Sequence, residues 1–89
     1  GLETWARLRR EMPASRDGEA QSLVAGIARR LLVAAGEAPE RWEVRVFAQG
    51  DVNAFVLPGR KIGVFDGMIR AAEGEGELAA VIGHEIGHL

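Results

Sequence analysis

The chain contains no cysteine, so disulfide and thiolate chemistry are excluded. The redox compartment stays open, because cytosolic and periplasmic proteins alike manage without disulfides. Lysine is almost absent, one against ten arginines, and with the many Ala and Gly this hints at a GC-rich bacterial genome. No apolar run approaches the ~18 residues needed to span a bilayer. Gly1 opens a polar, mixed-charge stretch rather than a secretory leader, so any leader or lipid anchor is expected upstream. There is no internal repeat, no low-complexity linker and no basic block large enough to make a nucleic-acid face.

What remains is ordinary for a folded protein: 89 residues, 47% hydrophobic and 27% charged, enough for one domain at most. Charge is uneven. Residues 1–45 hold eight Arg against seven acids, whereas residues 46–89 hold three basic residues against six acids. An acidic second half suits a cation better than a phosphate.

Leu2, Trp5, Leu8 and Met12 recur at helical spacing until Pro13 closes the run. Ser15 or Asp17 then caps a stronger helix in which Ala20, Leu23, Val24, Ile27, Ala28, Leu31 and Ala35 form a broad apolar stripe, with Gly36 just past its end and Pro39 preventing continuation. From Trp42 the period changes to two: Val44 and Val46 point one way, Glu43 and Arg45 the other. Val52 to Leu57 and Lys61 to Phe65 read as a β-hairpin about the turn Pro58-Gly59-Arg60. Asp66 is placed to cap a short helix through Ala72. Glu73-Gly74-Glu75-Gly76 interrupts it, and a last helix begins near Glu75–Glu77. The order α-α-β-β-β-α-α predicts an α+β fold.

The last helix carries the chain's only two histidines, in His84-Glu85-Ile86-Gly87-His88. Side chains four apart on a helix lie about 40° apart in azimuth and one turn apart in height, so both imidazoles can reach one ion. Neutral imidazole is a good zinc ligand. Glu85 is the next residue round, beside the ion, where it can take a proton from water and pass it to a leaving amine. A helical histidine pair alone also suits a polar patch. The acid between the pair and the apolar stripe of Leu78, Ile82, Ile86 and Leu89 argue for the metal. Gly83 and Gly87 each cost the helix about 1 kcal/mol, which suggests that substrate or a neighbouring strand approaches there.

Three blocks agree in order and spacing with a known group: Asn53-Ala54-Phe55-Val56-Leu57-Pro58-Gly59-Arg60-Lys61-Ile62, then Val64-Phe65-Asp66-Gly67-Met68, then Glu77 to Leu89. They resemble metallopeptidase family 48, the zinc endopeptidases that include CAAX prenyl proteases, HtpX heat-shock proteases, Oma-type mitochondrial proteases and BepA-like periplasmic chaperone-proteases. Arg60 departs from the pattern, standing where a second glycine is common.

The resemblance implies a gluzincin-type N-terminal subdomain, with Zn2+ held by His84 and His88 and Glu85 as general base. It makes Asn53, Ala54 and Phe55 the start of an edge strand that pairs with extended protein or peptide substrate, although Asn53 reads equally well as a turn residue. It places the third ligand, a glutamate, on a later helix, so residues 1–89 are expected to be the first part of one catalytic domain, inactive alone, that self-associates or pairs with the missing part. The implied activity is zinc-dependent endopeptidase action on unfolded or damaged proteins of the bacterial cell envelope. The alternative is a protease-like chaperone module that holds unfolded clients on its edge strand.

Overall fold

The computed structural model describes residues 2–88. Helix α1 (Leu2–Glu11) is followed by α2 (Gly18–Ala34), a 3-10 turn at Pro39–Arg41, strand β1 (Glu43–Phe47), the hairpin β2 (Ala54–Leu57) and β3 (Lys61–Phe65), and helices α3 (Asp66–Ala71) and α4 (Gly74–Gly87). The α+β expectation holds. The Leu2 side chain and Leu89, assigned by spacing to apolar stripes, lie outside the described residues. No helix among the described residues is long and apolar enough to cross a membrane.

Both proposed caps of α2 act together. The Asp17 carboxylate accepts from the backbone N–H groups of Glu19 (3.0 Å) and Ala20 (3.2 Å), while the Ser15 hydroxyl accepts from the N–H of Asp17 (3.2 Å). At the other end Gly36 takes φ 80°, and the N–H groups of Gly36 and Glu37 close on the carbonyls of Val33 (3.0 Å) and Leu32 (2.8 Å), a Schellman ending. The α3–α4 break turns on Gly74, at φ 87°. Three boundaries differ from the sequence reading, one being α4, which starts at Gly74, ahead of Glu75–Glu77. Asp66 is the first residue of α3 rather than its cap, Phe65 being extended there. Strand β2 starts at Ala54, leaving Val52 63% exposed in the preceding loop, because its ladder with β3 ends at the Ala54–Val64 pair and α3 begins at Asp66, two residues beyond Val64.

The strand order is β1-β3-β2, with β1 parallel and β2 antiparallel to β3. Alternation therefore sorts side chains onto two faces. Val46, Ile62 and Val64, with Val44, Ala54 and Val56, meet Val24, Ile27, Ala28 and Leu32 of α2 and Leu78 and Ile82 of α4. On the opposite face Trp5 of α1 joins Phe47, Phe55 and Phe65, with ring centroids 5.5–6.3 Å apart. Four of the chain's five aromatic residues are concentrated there, which fixes α1 to the sheet.

Leu78 and Ile82 of the α4 stripe are each 1% exposed, covered by α2 and the sheet. The α4 residues left exposed include Ala80, His84, Gly87 and His88.

Candidate metal centre

Helix α4 packs against α2 and β2 through Leu78, Ile82 and Ile86, and this packing turns its histidine edge outward. The helix ends at Gly87, and the N–H of His88 bonds the Glu85 carbonyl at 3.2 Å. Both imidazoles are exposed and converge: their Nε2 atoms are 3.0 Å apart and their ring centroids 4.4 Å apart. Two nitrogens bound tetrahedrally to one zinc at about 2.0–2.1 Å stand about 3.3 Å apart. The observed separation is a few tenths of an ångström shorter and is a hydrogen bond between the two imidazoles. Glu85, between them in sequence, is half-buried. Among the described residues no third His, Cys, Asp or Glu joins the pair.

The glycines beside these histidines are not crowded from within the chain. A Cβ on Gly83 would sit 3.5 Å from Leu31 Cδ2, an ordinary contact, and one on Gly87 would meet nothing within 4 Å.

A second element of the site is the hairpin. The N–H of Phe65 donates to the Asn53 carbonyl at 3.0 Å. Antiparallel ladders alternate, so Phe55 with Gly63 and Leu57 with Lys61 are also bonded pairs. The N–H and C=O groups of Ala54 and Val56 therefore point away from β3, and among the described residues no strand takes them up. Asn53 precedes the strand and is exposed. The Phe55 ring lies in the aromatic cluster, on the face away from α4, where it covers Gly63 so closely that a Cβ there would come within 2.4 Å of Phe55 Cζ. Of the three residues singled out in the sequence, Ala54 alone offers outward backbone groups. Val56 was missed because the phase of the ladder depends on register.

The other sheet edge is closed. Ala14 bridges Phe47, and the N–H of Ser15 bonds the Val46 carbonyl at 2.8 Å. The Gln21 side-chain amide also acts as a surrogate strand, donating Nε2–H to the Val46 and Ser15 carbonyls and accepting the Val46 N–H, all at 3.0 Å. Gly67 is a further position that no motif explained. A Cβ there would lie 2.1 Å from the Gly50 carbonyl oxygen, and its N–H bonds the Gln49 carbonyl at 2.9 Å. It ties α3 to the loop that leads into β2.

The titration of Glu43, away from α4, is displaced. Partial burial pushes the Glu43 carboxyl up. The hydrogen bond from Lys61 (3.1 Å), the neighbouring Trp5 indole, and the charges of Lys61 and Arg9 together outweigh that and hold it below its usual 4.5. The Trp5 Nε1–H faces this carboxylate without reaching hydrogen-bond geometry.

A helix thus presents two imidazoles one turn apart with an acid between them, the H-E-x-x-H spacing, beside an open strand edge. The Peptidase family M48 profile matches residues 14–89, and the chain belongs to that family. It is 40% identical over 65 residues to the mitochondrial metalloendopeptidase OMA1 of Schizosaccharomyces pombe, covering 73% of this chain and 19% of that protein. The corresponding Arabidopsis thaliana protein is 51% identical over 47 residues, 53% of this chain and 10% of that one. A putative beta-barrel assembly-enhancing protease of Vibrio cholerae is 27% identical over 82 residues, 92% of this chain and 17% of its own length. The chain spans less than a fifth of each of these relatives.

Proposed function

We propose that this chain is the first part of the catalytic domain of a zinc-dependent endopeptidase of gluzincin type. The observation that carries the reading is the 3.0 Å convergence of His84 and His88 Nε2 on the exposed edge of α4. These two residues would hold Zn2+, with a third ligand, a glutamate, supplied by a later segment of the same domain or by a paired chain. Bound zinc supplies a Lewis acid for the scissile carbonyl and lowers the pKa of water towards about 7. Glu85 accepts the proton released as water attacks and returns it to the departing amine nitrogen. The outward N–H and C=O groups of Ala54 and Val56 extend the sheet with a strand of substrate. That mode gives affinity with little sequence choice and suits unfolded or damaged proteins. The relatives named for mitochondria and for β-barrel assembly support an address in a bacterial envelope or an organelle derived from one.

The open β2 edge also supports a second reading, a chaperone-like module that holds unfolded clients without turnover. Casein cleavage by the complete protein, compared with its Glu85→Gln variant, separates the two. Endopeptidase action predicts a fall of about 10²-fold or more in the variant, with zinc content retained. Undiminished cleavage in the variant removes Glu85 from the chemistry, and no cleavage by either protein, with client binding intact, favours the chaperone.

A further inference from the structure

On the sheet face opposite α4, helix α1 and strand β1 border an open surface hollow of about 350 Å³ lined by Ala6, Arg9, Arg10 and Arg45. Arg45 is half-buried on β1, and its neighbour across the ladder is Gly63, which has no side chain to offer it. Among the described residues neither Arg10 nor Arg45 has a carboxylate within 4.0 Å. Arg9 reaches Glu43 at 3.6 Å, but that carboxylate is already bound to Lys61 at 3.1 Å. Arg9 and Lys61 thus share one carboxylate, and Arg10 and Arg45 are left without one among the described residues.

An arginine laid along a helix as apolar cover explains one such residue. It does not explain three arginines lining one hollow whose remaining wall is Ala6. Like charges brought together repel, and the arrangement is relieved by an anion entering between them. Guanidinium is planar and pairs phosphate oxygens through two parallel N–H groups, so a phosphate group matches this lining better than a lone carboxylate does. The remainder of the charge agrees. Residues 66–85 carry Asp66, Glu73, Glu75, Glu77 and Glu85 against Arg70 alone, so an approaching anion is steered away from α3 and α4 and towards α1.

We propose that the hollow formed by Arg9, Arg10 and Arg45 is a phosphate-binding site, separate from the metal centre. Its ligand is a phosphate-bearing anion, either free in solution or the headgroup of a lipid. The test is calorimetric titration of the protein with sodium pyrophosphate at constant ionic strength, with flotation on phosphatidylglycerol and phosphatidylcholine vesicles as a second arm. The expected result is saturable pyrophosphate binding that weakens at least tenfold in the Arg10→Gln/Arg45→Gln double variant. Arg10→Lys should weaken it less, and Arg29→Gln, on α2, should not change it; circular dichroism checks that each variant is folded. Flotation with phosphatidylglycerol vesicles that pyrophosphate competes away assigns the site to a headgroup; pyrophosphate binding without flotation assigns it to a soluble phosphate. Non-saturable binding, or equal weakening by Arg29→Gln, overturns the site in favour of general charge attraction.

Discussion

Replacing Gly67 by alanine tests how the loop before β2 is held. The φ of Gly67 is not left-handed, so conformation alone does not require glycine there. Space does. The new methyl group would lie 2.1 Å from the Gly50 carbonyl oxygen and 2.3 Å from that of Asp51, both backbone atoms, and the loop would have to withdraw by about 1 Å to reach a tolerable contact. Overpacking of this kind costs about 1–3 kcal/mol, and loss of the Gly67 N–H to Gln49 bond adds about 1 kcal/mol. The better helix propensity of alanine returns up to about 1 kcal/mol. The net loss is about 1–4 kcal/mol, or a Tm lowered by about 4–30 °C for a domain of this length. Gly83→Ala is the matched comparison. It is also a helical glycine, its Cβ meets Leu31 at an ordinary 3.5 Å, and it should raise stability by about 0.5–1 kcal/mol. Thermal unfolding followed at 222 nm reads both. A Gly67→Ala protein within 3 °C or so of the parent, or two variants that shift in the same direction, would refute the argument from backbone contact.

Arg60 sits at φ 63°, where a side chain costs about 1–2 kcal/mol, so Arg60→Gly should raise the urea midpoint by the equivalent of about 0.5–1 kcal/mol after allowing for the freer unfolded chain. Gln21→Ala strips the buried Val46 N–H of its acceptor and should cost about 1–3 kcal/mol, with exchange of the Val46 amide accelerated in hydrogen–deuterium measurements. Glu43 titrates lower in the folded protein than its ordinary 4.5, so its contribution is complete above that pH and is lost as acid protonates it. Glu43→Gln should flatten the fall in stability below pH 4.5, read from urea midpoints at stepped pH. Replacing either His84 or His88 by alanine should remove zinc from the complete protein, measured by metal analysis after dialysis; retention of stoichiometric zinc by both variants would place the ion elsewhere.

The helices, the hairpin and the one-turn pairing of the two histidines were readable along the chain because local signals set them. The Asp17 cap, the Gly36 ending, the change of period at Trp42 and the one-turn spacing of the two histidines each act within a few residues. Other features depend on segments distant in sequence, and no local signal reports them. The parallel pairing of β1 with β3 places β2 at the edge. The ladder register then turns Ala54 and Val56 outward and commits the backbone of Phe55 to Gly63. The Gln21 amide closes the opposite edge across 25 residues of chain, and Gly67 matters only because Gly50 lies against it. Spacing on one helix can set two imidazoles side by side. Which strand edge stays open beside them depends on long-range hydrogen bonds, and those exist only once the sheet has formed.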